Sequence, residues 1–316
     1  VGRPLTHWLL LFALVAMWGS AFMMTGIAVR AFSPEVLVTA RLLMGAVLLT
    51  GLVFARGLHF PLLGRFWLFS FLLAVAGNCA PFWLISFGQQ RVESGLAGIL
   101  MGIMPLTTMV LAHFFVPGER LNGIKVTGFA IGFVGLVVLL GPAAVLQLEG
   151  QGDRLPYELA ILGGAIFYAI NAVVARHRPP ADPLVAAAGV MLAGSAIMLP
   201  VGLPDIPAQL TAAGAGPLCA LAALGVIATS VATVVFLRLV VIAGPSFTSF
   251  INYLIPVWAV LMGVLFLGER PGLSALIALA LILSGIGLSE LGRRWAGAQS
   301  AATAAGSTAG ESEKRA

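Results

Sequence analysis

The chain has 316 residues, 60% of them hydrophobic and only 9% charged, with a mean hydropathy of +1.05. An ordinary soluble domain carries about 25% charged residues, so a water-facing surface cannot be built from so few charges. The net charge of +5 comes from 17 Lys and Arg scattered between apolar runs; they form no basic face with interleaved aromatics, and a nucleic-acid partner is not expected.

Apolar runs of about 18 residues or more, each long enough to cross a bilayer as a helix, recur from one end of the chain to the other. They predict spans near 7–29, 34–55, 66–87, 95–116, 123–140, 157–175, 183–201, 216–239, 246–267 and 271–291. The first is longer than a signal peptide and leads at once into the next, so it reads as helix one. The runs are continuous and lack the alternation of a barrel strand, and a lipid-facing backbone must satisfy its own hydrogen bonds; the expected fold is therefore all-α and integral to a membrane. Connections are short, with the longest polar ones at 141–156 and 202–215. Residues 295–316 are low-complexity Ala, Gly and Ser and are expected to form a disordered cytoplasmic tail. With both termini inside, twelve of the Lys and Arg fall in inside segments, and only Arg30, Arg91, Arg154 and Arg270 fall in outside loops. The positive-inside rule favours that orientation.

The chain repeats itself. Gly118-Glu119-Arg120 recurs as Gly268-Glu269-Arg270, and each triplet follows an intramembrane proline, Pro105 or Pro256. At the same spacing Gly135 matches Gly285 and Trp18 matches Tyr168. Two five-helix units, 1–145 and 146–294, follow from this. Five is odd, so the second unit enters the membrane upside down, an arrangement that places a solute site near the midplane between repeats and works by alternating access.

A 5+5 helix bundle with an early Trp18-Gly19-Ser20 and a Gly-Glu-Arg triplet after a proline-bearing fourth helix in each half resembles the drug/metabolite transporter superfamily, EamA-type branch, over about residues 7–291. What the resemblance implies is a bacterial inner-membrane exporter of amino acids or related metabolites, similar to the YddG-type exporters of aromatic amino acids. It implies no cofactor and no enzymatic activity.

Polar and aromatic residues in mid-span mark candidate solute contacts: Trp18 and Ser20 in helix one, Asn78 and Trp83 in helix three, Tyr168 and Asn171 in helix six, and Ser249, Asn252 and Tyr253 in helix nine, with Met101 and Met104 as adaptable apolar wall. Each taken alone is an ordinary packing or interhelical hydrogen-bonding residue. Together they describe a cavity for a flat, partly apolar solute whose zwitterionic end is met by amides. Arg41 lies inside a span, roughly 10 Å deep at 1.5 Å per residue, where a cation is either functional or snorkels to the surface; it is a candidate for gating or for the solute's charge. Pro105 and Pro256 are either packing kinks or hinges. Gly98-x-x-x-Gly102 and Gly128-x-x-x-Gly132 read as close-packing stripes, with sliding contacts or dimerisation as further readings. The Gly-Glu-Arg triplets read either as gating contacts or, more simply, as local structure, with Glu119 and Glu269 complementing the N-terminus of the helix that follows each and the arginine pairing with that Glu or with lipid phosphate.

All twelve acidic residues fall in predicted loops, span ends or the tail. Proton-linked efflux of cationic drugs needs a carboxylate within the membrane, as in the small multidrug-resistance proteins, and this sequence departs from that pattern. The four histidines and two cysteines, Cys79 and Cys219, show no metal-ligand spacing, which weighs against a membrane-embedded enzyme. A channel is the other rival class, usually built from rings of like residues through oligomerisation. The expected partners are a small-molecule substrate and the lipid bilayer, and the expected state is a monomer or weak dimer.

Overall fold

The computed structural model describes residues 4–62, 64–117, 119, 121–140 and 154–291. The junction between the two units at 145 and 146, the tail at 295–316, and Gly118 and Arg120 of the first triplet lie outside the described residues.

Among the described residues ten long apolar helices follow one another: α1 (Leu5–Ala28), α2 (Pro34–Ala55), α3 (Gly64–Gly88), α4 (Ser94–Phe115), α5 (Gly123–Leu140), α6 (Leu155–His177), α7 (Pro183–Ala212), α8 (Ala215–Ala243), α9 (Ile251–Leu267) and α10 (Leu273–Leu291). Eight are long and apolar enough to span a membrane; α5 and α9 are apolar and slightly shorter. The chain is thus an all-helical membrane protein of two five-helix repeats. Ten crossings bring Leu5 and Leu291 to one face, the terminal face, while the Glu119 loop lies there too and the Glu269 loop lies at the opposite face.

Local chemistry sets the helix ends. The Ser33 hydroxyl accepts a hydrogen bond from Val36 N at 3.4 Å, with Pro34 in the first turn of α2. Asp182 accepts from Leu184 N at 2.8 Å ahead of α7, and Gly268, left-handed at φ 67, ends α9. The connection expected at 202–215 is largely helical, through Leu203–Asp205 and Ile206–Ala212. Pro204 and Pro207 occupy first-turn positions where a missing N–H is tolerated, and Gln209 Oε1 accepts from Ser33 N at 2.8 Å, docking the segment beside α2.

Packing crosses the repeats. Leu42, Ala46 and Leu49 of α2 meet Val185, Ala188 and Met191 of α7. The helix α5 lies so close to α10 that a Cβ at Gly128 would sit 2.6 Å from Gly285 O. Leu11, Leu14 and Val15 of α1 pack not on their own repeat but on Leu239, Phe247 and Ile251 in and just before α8 and α9. In mirror fashion Ile161 of α6 packs on Val92, Ala97 and Leu100 of the first repeat. Each repeat lends its first helix to the other. The glycine stripes serve these close approaches: Gly98 faces Ala259 of α9, and a Cβ at Gly102 would meet Ile282 of α10 at 2.9 Å. Large apolar side chains such as Val47, Phe54, Leu265 and Phe266 stay exposed on the outside of the bundle, where lipid receives them.

Candidate functional site

Two helices are widened where they pass the middle of the bundle. A π turn spans Val75–Cys79 in α3, and a longer one spans Leu224–Val231 in α8, the matching helix of the second repeat. Such turns shift the backbone bonding by one residue and frequently mark functional sites. In α8, Ala232 N bonds Ile227 O rather than the carbonyl four residues back, and Ala228 O receives the Trp18 indole N–H at 3.0 Å. The hydroxyls of Thr229 and Ser230 donate to Leu224 O and Gly225 O at 2.8 and 2.9 Å, supplying partners that the wide turn leaves short. In α3, Ala80 N likewise bonds Val75 O, so the turn also absorbs the missing donor of Pro81. Gly77 within this turn makes room for Asn171 of α6: a Cβ there would lie 2.6 Å from Asn171 Oδ1.

These turns flank a cavity of about 540 Å³, within the range of ligand sites. Its wall takes Trp18, Phe22 and Thr25 from α1, Arg41 from α2, Asn78, Phe82 and Ser86 from α3, and Met101, Met104 and Pro105 from α4. The second repeat adds Tyr168 and Asn171 from α6, Met191 from α7, Thr229, Thr233 and Phe236 from α8, and Thr248, Ser249, Asn252 and Pro256 in and just before α9. Four pairs of helices related by the repeat contribute, α1 with α6, α2 with α7, α3 with α8 and α4 with α9; among the described residues α5 and α10 do not.

Of the residues singled out in the sequence, the cavity brings together Trp18, Asn78, Met101, Met104, Tyr168, Asn171, Ser249, Asn252, Arg41, Pro105 and Pro256. Three stand elsewhere. Ser20 Oγ accepts from Trp258 Nε1 at 2.9 Å, Trp83 Nε1 donates to Glu35 Oε1 at 2.8 Å, and Tyr253 Oη donates to Ile286 O at 3.3 Å. The Trp18-Gly19-Ser20 motif is thereby explained as a docking element for α1. Trp18 reaches α8, Trp258 of α9 lies over Gly19, where a Cβ would come 2.6 Å from its Cδ1, and Ser20 holds its indole N–H. Pro105 follows directly on a break in α4 at Gly102 and Ile103, whereas Pro256 sits inside an unbroken α9, whose own break falls earlier, at Ser249 and Phe250.

Arg41 is the one charged side chain on the cavity wall among the described residues. Its Nε donates to Thr229 Oγ1 at 2.7 Å and its guanidinium carbon lies 3.7 Å from the centroid of the Phe82 ring, a cation–π geometry. Among the described residues no carboxylate stands within ion-pairing distance of it, and its Nη groups have no hydrogen-bond acceptor in the protein. The side-chain amides of Asn78, Asn171 and Asn252 likewise have no protein hydrogen-bond partner among the described residues, so they are free to bond a solute. They line the cavity, where water or a solute can reach them. Among the described residues no Asp or Glu lines the cavity. Thr25, Ser86, Thr229 and Thr233 are wall residues that sequence reasoning passed over, because a hydroxyl in an apolar run ordinarily bonds its own helix.

The two faces of the bundle differ. At the opposite face, Glu269 accepts from Ser94 N and Gly95 N at 2.7 and 2.8 Å, and Gln89 Nε2 donates to Phe22 O and Ser94 Oγ at 2.9 and 3.1 Å. Glu269 therefore complements the N-terminus of α4 in the other repeat, not that of α10, which follows it in sequence, because α4 arrives at its side with two unpaired N–H groups. At the terminal face Glu119 instead pairs with Arg176 at 3.2 Å and Lys125 at 3.9 Å, and Leu106 in the second half of α4 packs with Ala165 of α6.

The EamA-like transporter family model matches residues 6–141 and, a second time, residues 155–290. The chain is 26% identical over 289 residues to the "Uncharacterized inner membrane transporter YedA" of Escherichia coli (strain K12), covering 90% of each. It is 26% identical over 299 residues to a "Probable terminal-alkyne amino-acid exporter" of Streptantibioticus cattleyicolor, covering 91% of this chain and 95% of that one. A solved crystal structure superposes with a TM-score of 0.62 at 22% identity, covering 92% of this chain and 99% of the other, a likeness of fold.

Proposed function

Since the chain belongs to the EamA-like transporter family, a family of transporters and not of enzymes, we propose that it exports amino acids or related small metabolites across the bacterial inner membrane by alternating access, with aromatic amino acids as favoured cargo. The observation that carries this reading is the cavity itself, in which aromatic walls from Trp18, Phe82, Tyr168 and Phe236 surround three amides without protein partners and one unpaired guanidinium. Aromatic contacts contribute about 0.5–1.5 kcal/mol each beyond burial, and the polar groups answer a zwitterionic end. The exporter of Streptantibioticus cattleyicolor, by its printed name, supports an amino acid as cargo, and the name of YedA supports the inner membrane. Residues 1–145 and 146–294 act as the two units, Pro105 and Pro256 as hinges, both termini are cytoplasmic, and the chain works as a monomer or weak dimer.

A cavity with an arginine and no carboxylate repels cations, which leaves multidrug efflux with less support. It also holds no group to exchange a proton. Uptake into proteoliposomes, measured with a panel of amino acids with and without a pH gradient, tests the proposal. Saturable uptake down a solute gradient is expected, unchanged when the pH gradient is collapsed. Asn252→Ala is expected to lower flux at least tenfold while leaving the midpoint of thermal unfolding near that of the parent protein. No uptake of any amino acid would sink the proposal.

A further inference from the structure

We infer that Arg41, oriented by Thr229, forms a carboxylate subsite, and that the cargo is selected by its anionic end while its ammonium is dispensable. The inference rests on the reading that the cavity is the transport site, and it narrows the cargo to solutes with one compact carboxylate joined to an aromatic or large apolar body.

The charge pattern of the wall is one-sided. Arg41 brings a full positive charge, and no Asp or Glu faces it across the cavity. A carboxylate therefore meets an opposite charge there, in surroundings of low dielectric where such attraction is strong. An ammonium meets only neutral acceptors, the amide and hydroxyl oxygens of residues such as Asn78, Asn171 and Thr233. It also feels the repulsion of Arg41. A deaminated acid loses only those neutral contacts, whereas a decarboxylated amine loses its one ionic partner.

The guanidinium is already aimed. The bond from Nε to Thr229 Oγ1 and the face of Phe82 fix its plane, while Thr229 is itself held by its bond to Leu224 O in the π turn. This leaves the Nη edge, without an acceptor in the protein among the described residues, to receive two carboxylate oxygens side by side. The apolar body has its place next to that seat. Phe82 lies against Arg41, Tyr168 meets Phe82 edge-on at 6.4 Å, and Trp18 is bonded to Ala228, the neighbour of Thr229.

A three-member series tests this on the full chain in proteoliposomes: uptake of labelled phenylalanine in competition with 3-phenylpropionate, with 2-phenylethylamine and with inorganic phosphate. The acid is expected to compete at least as well as unlabelled phenylalanine, and the amine only at tenfold or higher concentration. Arg41→Gln is expected to weaken both carboxylates at least tenfold and to erase their advantage over the amine, with Arg41→Lys between. If phenylalanine is not taken up, quenching of tryptophan fluorescence by the same three ligands reads the subsite directly. Binding of the acid alone would then sink the amino-acid reading and leave the subsite standing. An amine that competes as well as the acid overturns the inference, as does phosphate competing as well as phenylpropionate, or an acid-to-amine ratio unchanged in Arg41→Gln. Should that variant fail to fold, the ratio in the unmodified protein still decides.

Discussion

Glu119 and Glu269 stand in the same triplet at matching places in the two repeats, yet one lies among cations and the other accepts two backbone N–H bonds. The difference arises in the helix each has to receive. Counting from the matched prolines Pro105 and Pro256, the start of α4 at Ser94 and Gly95 corresponds to Pro245 and Ser246 before α9. A serine and a glycine present two N–H groups to a carboxylate; a proline has none to give. Room matters as well, since a Cβ at Gly95 would stand 3.1 Å from Glu269 Oε2, and one at Gly263 would overlap that carboxylate. Duplicated residues thus keep their chemistry and change their use when the surface opposite them changes.

Three substitutions test that contrast. The largest effect is expected for Glu269→Ala, which removes two charge-assisted hydrogen bonds from a half-buried position and should cost about 1.5–3 kcal/mol, read as a lower midpoint of thermal unfolding in detergent. A loss below that range would mean that water replaces the carboxylate at no cost. Next comes Ser94→Pro, which gives α4 the kind of start that α9 has and should cost about 1 kcal/mol. In a double-mutant cycle its cost should shrink once Glu269 is already Ala; full additivity would show that the two residues do not communicate. Smallest is Glu119→Gln: its pair with the exposed Arg176 is of the surface kind worth about 0–1 kcal/mol, fading in concentrated salt, and the buried Lys125, 3.9 Å away, keeps another interaction. A salt-independent loss as large as that of Glu269→Ala would erase the asymmetry argued above.

The spans were legible because lipid leaves apolar runs little alternative to helix, and the repeat was legible because its triplets and prolines are literal copies. Trp18, Asn78, Asn171 and Asn252 also announce themselves, being polar or amphipathic groups in stretches that otherwise exclude them. The direction in which such a group turns is not written locally. Ser20, Trp83 and Tyr253 look the same in sequence, but they bond Trp258, Glu35 and the carbonyl of Ile286. The π turns have no signature of their own either, since Leu224–Val231 reads as an ordinary helical run. Thr229 acquires its place beside Arg41 only through that turn. The partner of Glu269 was hidden for the same reason: capping rules are local, and Ser94 lies 175 residues away.

The loan of first helices between repeats also fixes an order of events during synthesis. The Trp18 indole bonds a carbonyl 210 residues further along the chain, so α1 enters the membrane first and must wait for α8 and α9 before its face is covered. The helix α6, by contrast, emerges with its seat on α3 and α4 already made. A ribosome that stalls after the fifth helix would leave an early helix unclaimed and a vacant groove beside α3, each shaped for something not yet translated. The first half therefore exposes unmet interhelical surface until the second arrives.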